Sequence, residues 1–180
     1  ILGKDFRFRT NVVRTGDLED GSVNGDLVLV ASGDPNLSQR PGGKGRLRFV
    51  DRDHSYAGFS EADLVPGDPL KVLREMARNI AARGVKEVKG DIVVDDGLFK
   101  ETSDSFVGDF SAICINDNLV DFVISPGAQP GEKARASWQP SLDPVKVRIE
   151  ARTVGKDGVR RLWVESLAGP ASFVVKGTIP

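Results

Sequence analysis

Two stretches of the chain share one pattern, Gly25-Asp26-Leu27-Val28-Leu29-Val30 and Gly90-Asp91-Ile92-Val93-Val94-Asp95. In each of them a Gly-Asp pair precedes a run of aliphatic residues. Glycine tolerates the dihedral angles of a turn, and branched aliphatic side chains suit a pleated surface that is covered by other atoms. Each stretch therefore predicts a buried strand that the chain enters from a turn.

The segment between these stretches has the spacing of one amphipathic helix, from Pro69 to Arg83. One face of this helix carries the apolar residues Leu70, Leu73, Met76, Ala77, Ile80 and Ala81. Asp68 suits the cap, Pro69 suits the first turn and Gly84 suits the stop. The order strand, helix, strand predicts a right-handed parallel crossover in which Leu73, Met76, Ala77 and Ile80 pack on the sheet.

Most of the remaining chain has strand character. Residues 6–13 alternate between apolar and polar side chains, and the Asp20-Gly21 turn follows before the first Gly-Asp strand, so a first hairpin is predicted. Further strand candidates lie at 119–125, 145–153, 159–166 and 172–179, separated by turn residues. The sequence therefore predicts a mixed α/β (α+β) fold with β-rich layered sheets, one main helix and a strand-helix-strand unit.

The expected domain organisation follows from this distribution. Residues 1–33 plus 110–180 would form a β-rich domain, and residues 34–109 would form an inserted segment. That segment would contain helix 69–83, strand 90–95 and a long exposed loop, because its first half is rich in glycine and proline. The chain starts at Ile1 without an initiator Met, so we expect it to be part of a longer polypeptide.

Composition excludes several classes of partner. The 25 basic and 26 acidic residues are well mixed and give a net charge of -1, so we expect neither a nucleic acid nor an anionic membrane as a partner. No apolar stretch approaches the ~20 residues that span a bilayer. The single cysteine, Cys114, lies in an apolar run and is predicted to be a small buried hydrophobe.

Candidate chemistry is sparse. Asp51-Arg52-Asp53 begins like a calcium loop, but Tyr56 stands where that loop requires glycine. Asp95-Asp96 could form an acid pair, although neighbouring residues on a strand point to opposite faces, which favours a turn after the strand. We therefore expect no catalytic residue, no metal site and no cofactor in this chain.

An ordered series of motifs spans the chain from Gly3 to Pro180. It comprises Phe6-Arg7-Phe8-Arg9-Thr10, residues 24–37, the helix ending in Gly84-Val85, Lys89-Gly90-Asp91-Ile92-Val93-Val94-Asp95-Asp96, Ser111-Ala112, Asn116-Asp117-Asn118, Pro126-Gly127 and Pro130-Gly131. This series resembles the class C low-molecular-mass penicillin-binding proteins, which are bacterial serine D-Ala-D-Ala carboxypeptidases and endopeptidases.

The resemblance implies that the chain comprises inserted, non-catalytic domains of an exported enzyme of the periplasm or cell envelope. The family's catalytic domain carries Ser-x-x-Lys, Ser-x-Asn and Lys-Thr-Gly motifs, and we expect none of the three here. No serine is followed three residues later by lysine, and Lys176-Gly177-Thr178 has the letters of the last motif in another order. The expected partners are the catalytic domain of the same polypeptide and, in the complete enzyme, the peptidoglycan stem peptide.

The resemblance also implies a substrate-binding contribution. Family members present an acid and an aromatic residue, from the loop after the second Gly-Asp strand, to the amine of the stem peptide. Counting back from Ser111-Ala112 gives Glu101 as the acid and Phe106 as the aromatic residue, with Asp104 as the alternative acid. A carboxylate suits an ammonium group by charge pairing.

Two other functions fit parts of the sequence. A free-standing cell-wall or protein-binding module without enzyme activity would use the loop of residues 33–67 as its contact surface. A nucleotide-binding α/β enzyme would require a short glycine-rich turn that leads directly from the first Gly-Asp strand into the helix, whereas the glycine-rich patch Gly42-Gly43-Lys44-Gly45 lies within the long loop.

Overall fold

The computed structural model describes residues 3, 5–35, 37–38, 64, 67–99, 111–169 and 171–180. These residues fall into two compact units. The first contains the described residues up to 38 and residues 68–118, and the second contains residues 119–180 together with Leu64 and Gly67.

The first unit holds six strands and one α-helix among its described residues. In chain order they are β1 (Asn11–Arg14), β2 (Leu18–Glu19), β3 (Ser22–Val23), β4 (Leu27–Val30), α1 (Lys71–Ala82), β5 (Glu87–Val88) and β6 (Ile92–Asp95). The main sheet has the order β1-β4-β6, with β1 antiparallel and β6 parallel to β4. The two Gly-Asp runs are therefore parallel neighbours in one sheet, as predicted, and the register places Leu27 opposite Ile92.

The two Gly-Asp pairs contact each other at the start of these strands. The Gly90 amide donates a hydrogen bond to the Gly25 carbonyl (3.1 Å), and the Asp91 amide donates one to Asp26 Oδ1 (2.9 Å). A Cβ atom on Gly90 would overlap Asp26 Oδ1 and lie 2.8 Å from the Gly25 carbonyl oxygen. Glycine is therefore required at position 90 by close approach, and the aspartate at position 26 satisfies an amide of the neighbouring strand.

This contact leads to a prediction about Gly90→Ala. The added methyl group meets backbone atoms of Gly25 that cannot rotate away, so we expect a loss of about 1 to 3 kcal/mol in the free energy of unfolding. Urea denaturation followed by circular dichroism measures this change. The matched control is Gly155→Ala, because a Cβ there has no atom within 4 Å and Gly155 has no positive φ. Equal effects at the two positions would contradict the close-approach argument.

A second small sheet has the order β2-β3-β5. Asp20 and Gly21 connect β2 to β3 with φ of 50° and 91°, as a two-residue hairpin turn with two positive φ angles requires. Strand β5 pairs in parallel with β3, with Val23 opposite Val88. The hairpin turn was predicted, whereas the pairing of β3 with β5 was not.

Helix α1 lies at the predicted position, and its predicted packing on the sheet stays a prediction, because the described residues do not fully bury the face concerned. Just before the helix, the Leu70 amide donates a hydrogen bond to Asp68 Oδ1 (3.0 Å). Just after the helix, Gly84 adopts a positive φ of 93°. No residue of the helix is buried in the described structure; Leu73, Met76 and Ile80 are half-buried and Ala77 is exposed. Amphipathic spacing identified the residues that share a face, but it carries no information about what covers that face.

The prediction that both Gly-Asp strands are buried is also wrong for the described part of the molecule. Every residue of β4 is partly exposed, and every residue of β6 is exposed, with 70% of Ile92 accessible to solvent. Apolar runs are typical of strands that are covered on both faces. The residues that the structure describes do not supply that cover for β6.

The second unit contains six strands among its described residues. They are β7 (Asp121–Ser125), β8 (Arg135–Gln139), β9 (Lys146–Ile149), β10 (Arg152–Thr153), β11 (Arg161–Ser166) and β12 (Ser172–Ile179). Strand β12 is the centre of a four-stranded sheet, with β11 antiparallel on one side and β9 and β10 parallel on the other. Strands β7 and β8 form a separate antiparallel pair.

One apolar core holds the second unit together. Its buried members are Ala134, Ala151, Val175 and Ile179, and Phe122, Ile124, Val147, Ile149 and Leu162 pack against them. The rings of Phe122 and Phe173 meet edge to face at 5.5 Å, which joins the β7–β8 pair to the four-stranded sheet. The mixed, strand-rich fold is therefore confirmed, and β8 is a strand that the sequence analysis missed.

The boundaries of the two units differ from the expected domain division. The pairing of β4 with β6 groups residues before position 34 with residues 68–118, whereas the sequence-based division grouped residues 1–33 with 110–180. The division into independently folding domains stays a prediction that limited proteolysis would test.

Candidate functional site

The predicted substrate residues Glu101, Asp104 and Phe106 lie outside the described residues, as does nearly all of the loop of residues 39–66. The structure does describe the chain on both sides of residues 100–110. Residues 95–99 and 111–113 are the described residues that flank this segment.

Both of these flanking segments attach to the chain that follows β4. The Ala31 amide donates to the carbonyl of Asp95, the last residue of β6 (2.9 Å). The Gly33 amide donates to the Ala112 carbonyl (2.9 Å), and Asp34 forms a parallel bridge with Ile113. Residues 31–34 thus hold Asp95, Ala112 and Ile113, on either side of the segment 100–110, at the carboxyl end of the parallel pair β4–β6, which is where ligands bind in many α/β sheets.

Two apolar side chains lie at the first of these ends. A Cβ atom on Gly33, whose φ is 72°, would lie 2.9 Å from Phe99 Cζ and 3.4 Å from Leu98 Cδ2. Phe99 and Leu98 nevertheless remain 45% and 57% exposed. Sequence reasoning missed this apolar pair, although the Gly33-Asp34-Pro35 turn next to an aliphatic strand was a signal for close backbone approach.

The adjacent carboxylates Asp95 and Asp96 do not form an acid pair in the described structure. Asp95 Oδ1 accepts a hydrogen bond from the Gly97 amide (3.1 Å), which closes a turn directly after β6. Such a turn was predicted. In this turn the Asp95 carboxylate accepts a hydrogen bond from the nearby backbone and does not pair with Asp96.

The motif Asn116-Asp117-Asn118 forms a left-handed turn. The three φ angles are 53°, 53° and 56°. Asn116 is buried, and its backbone amide donates a hydrogen bond to Ser38 Oγ (2.6 Å). Asparagine and aspartate tolerate this conformation better than other residues with side chains, so their presence in consecutive positions has a conformational reason.

The letters Ser-x-Asn occur once, at Ser22-Val23-Asn24, so the expectation that the chain lacks all three catalytic motifs is wrong for this one. Ser22 Oγ donates a hydrogen bond to Glu87 Oε2 (2.8 Å), and the side-chain Nδ2 of Asn24 donates one to Glu19 Oε2 (3.0 Å). Lys89 Nζ lies 2.6 Å from the same Glu87 oxygen.

These contacts argue against a nucleophile at Ser22. Hydrogen bonds from Lys89 and then from Ser22, together with the Lys89 charge, lower the pKa of Glu87 below its ordinary value. A carboxylate with a lowered pKa is a weak base, and an activated serine requires a base that removes its proton. The cluster links β3 to β5 at an exposed surface.

A comparison with protein families identifies the chain. The model of the D-Ala-D-Ala carboxypeptidase 3 (S13) family matches residues 1–180. The chain belongs to this family. The resemblance to the low-molecular-mass penicillin-binding proteins is therefore confirmed.

Solved structures share the fold of this S13 family chain. Two crystal structures of penicillin binding protein 4 from Haemophilus influenzae match with TM-scores of 0.58 and 0.61 at 18% sequence identity, the first being of a complex with a β-lactam. Both matches cover 97% of this chain but only 31% and 34% of the matched chains. The chain thus spans about a third of the length of the structures it resembles. Among the described residues, none of the helices has the length and apolarity needed to cross a bilayer.

Proposed function

We propose that this chain forms the inserted, non-catalytic domains of a D-Ala-D-Ala carboxypeptidase or endopeptidase that acts on peptidoglycan in the periplasm or cell envelope. In this proposal the chain flanks the substrate cleft and its partner is the catalytic domain of the same polypeptide. The family match over residues 1–180 supports the reaction class, and the matched chains are about three times as long.

The observation that carries the proposal is the exposed apolar surface of the sheet β1-β4-β6. The register places Val13, Val28 and Val93 on one face, and Val12, Leu29 and Val94 on the other. In β6, Val93 and Val94 are 38% and 47% exposed. A parallel pair with apolar side chains on both faces is typical of a sheet covered on both sides, and extended exposed apolar surface marks an interaction site.

The open edge of β6 supports a protein as the covering partner. The Asp91 carbonyl accepts a hydrogen bond from the Leu27 amide of β4, and the Asp95 carbonyl accepts one from the Ala31 amide directly after β4. In a parallel strand the backbone N–H and C=O groups of successive residues point alternately towards one neighbouring strand and the other. The backbone groups of Ile92 and Val94 therefore point away from β4. Among the described residues β6 pairs only with β4, so a polypeptide could satisfy this edge while its side chains cover the apolar faces.

The first prediction of the proposal concerns Ile92→Asp. In the isolated chain Ile92 is 70% exposed, so the free energy of unfolding should change by no more than about 0.5 kcal/mol. In the complete enzyme the same change would bury an unpaired carboxylate, so we expect a lower melting temperature and reduced carboxypeptidase activity.

The matched control for this experiment is Leu142→Asp, an exposed apolar position in the second unit. It should leave both proteins nearly unchanged. Wild-type melting temperature and activity in the complete Ile92→Asp enzyme would contradict the covered-sheet proposal.

The second prediction concerns covalent chemistry. The chain contains no Ser-x-x-Lys and no Lys-Thr-Gly sequence, and covalent acyl transfer requires a nucleophile, a base and an oxyanion site together. We expect no acyl adduct when the isolated chain is incubated with a labelled β-lactam, as measured by intact mass. A stoichiometric adduct would show that the chain itself is catalytic, and Ser22→Ala would then test whether Ser22 carries it.

The third prediction concerns substrate selection by Glu101 and Phe106 in the complete enzyme. Glu101→Gln removes a charge but retains size and hydrogen bonding, so it should reduce kcat/KM only for substrates with a free side-chain amine. The expected loss is about 10- to 100-fold if the contact is partly desolvated, and much less if solvent screens it.

Acetylation of the substrate amine provides the internal control. It should produce a similar loss in the wild type and almost none in the Glu101→Gln enzyme. Equal losses in both enzymes would exclude Glu101 as the recognition residue, and Asp104→Asn would test the alternative acid.

A further inference from the structure

Strand β11 forms an open edge of the sheet in the second unit. Among the described residues it pairs only with β12. Its side chains Trp163 and Val164 are 44% and 42% exposed, and it contains no proline or glycine that would prevent pairing. We propose that β11 pairs with β11 of a second copy of this chain, as antiparallel strands related by a two-fold axis at Trp163. The proposal concerns the second unit alone and does not depend on the function proposed above.

The hydrogen bonds to β12 determine which backbone groups of β11 face the open edge. The Leu167 amide donates a hydrogen bond to the Ser172 carbonyl across the pair β11–β12 (2.8 Å). In an antiparallel pair, residues with such bonds alternate with residues whose backbone groups point to the other side. The register continues from this pair along the whole of β11 without a bulge. The backbone groups that face the open edge are therefore those of Leu162, Val164 and Ser166.

Charge selects the position of the axis. Two copies pair their open edges only when outward-facing residues lie opposite each other, which places the axis at a residue and not between two residues. An axis at Trp163 places Arg161 opposite Glu165 of the second copy, and symmetry repeats this pair. An axis at Val164 would place Arg161 opposite Leu167 instead. Among the axes within β11, only the one at Trp163 sets opposite charges directly across from each other, so this register is favoured.

The apolar side chains of β11 match in the same register. Trp163 would lie opposite its own copy at a position without direct hydrogen bonds, where paired side chains approach most closely. On the other face Leu162, which packs against the apolar core, would lie opposite Val164 of the second copy. Aromatic and β-branched pairs across strands stabilise a sheet. The pairing would therefore cover the two side chains of β11 that are exposed in one copy, Trp163 and Val164.

Glu165 can accept an arginine of the second copy in addition to its partners in the same chain. Lys176 Nζ (2.6 Å) and Trp163 Nε1 (2.8 Å) donate hydrogen bonds to it. These bonds, first that from Lys176 and then that from Trp163, lower the pKa of Glu165, so its carboxylate is ionised at neutral pH. A carboxylate has about four acceptor sites on its two oxygens, which leaves sites for a guanidinium.

The expected dimer is weak because its interface is small. A strand of six residues spans about 20 Å, and interfaces below about 1,200 Å² are typical of weak, transient complexes. We therefore expect a monomer–dimer equilibrium with a Kd on the order of 0.1 to 1 mM, measured by sedimentation equilibrium of the chain. A chain that is still entirely monomeric at about 1 mM would overturn the proposal.

Hydrogen exchange followed by NMR tests the strand itself. The amides of Leu162 and Val164 should exchange about two- to fivefold more slowly at about 1 mM than in dilute solution, because the dimer supplies their acceptors. The amides of Trp163 and Glu165 face β12 and should be protected at both concentrations. Equal exchange of the Leu162 and Val164 amides at both concentrations would overturn the proposal. If they are protected even in dilute solution, another segment of the same chain covers the edge.

A matched pair of variants tests the register. Arg161→Glu sets like charges opposite each other at both symmetric positions, so it should weaken dimerisation about tenfold. Arg160→Glu makes the same change in net charge at the adjacent position, which lies opposite Ser166 of the second copy, and it should change the Kd by no more than about twofold. Equal weakening by the two variants would mean nonspecific repulsion and would overturn the proposal.

A mixture of two variants tests the charge pairs in a second way. Arg161→Glu has a glutamate at both positions 161 and 165, and Glu165→Arg has an arginine at both. Each variant should dimerise weakly alone, whereas their mixture should form a heterodimer with about the wild-type Kd, because every arginine then meets a glutamate. Two folded variants that form no heterodimer would overturn the proposal.

Val164→Pro tests the backbone contact without a change in charge. Proline removes an amide that faces the open edge, so the chain should keep its fold, measured by circular dichroism, and lose the dimer. A folded Val164→Pro chain that dimerises like the wild type would overturn the proposal. If Glu165→Arg or Val164→Pro does not fold, hydrogen exchange in the wild-type chain and the comparison of Arg161→Glu with Arg160→Glu still decide the question.

Discussion

The close contact between the two Gly-Asp pairs organises the first unit. Gly90 lies directly against Gly25, and the Asp26 carboxylate accepts the Asp91 amide hydrogen bond. This contact sets the register in which Leu27 faces Ile92, and a shift of one residue would place each side chain on the opposite face. The sheet β1-β4-β6 depends on that register, and so does the hydrogen bond between Ala31 and Asp95 at its carboxyl end.

The same register leaves the sheet with apolar side chains on both faces that the described residues do not cover. It aligns aliphatic residues of β4 and β6 on both faces, an arrangement that water makes unfavourable. The described residues leave Ile92 exposed, and helix α1 does not bury its apolar face against them. An apolar strand with an open edge has both the side chains and the backbone groups that a further protein domain can cover, which is why the proposed partner is the catalytic domain.

The second unit is stabilised differently. Its apolar core lies between the β7–β8 pair and the sheet centred on β12, and it encloses Ala151 and Val175 completely. The opposite face of that sheet carries the network of Trp163, Glu165 and Lys176. The glycine at position 177 allows the Trp163 ring and the Arg161 carbonyl to approach the backbone of β12 closely on that face.

The sequence alone determined those elements that depend on residues close together in the chain. The aliphatic runs fixed β4 and β6, the spacing of Leu73, Met76 and Ile80 fixed α1, and Asp20-Gly21 fixed a hairpin turn, because each depends on residues close in the chain. The series of motifs also identified the family. Only the tertiary structure decided the pairing of β3 with β5 and the hydrogen bond between Ser22 and Glu87, which are 65 residues apart. It likewise decided the approach of Trp163 to Gly177 and the exposure of β6. These features depend on which distant segments meet, and hydrophobic periodicity specifies that a face needs a partner without specifying the partner.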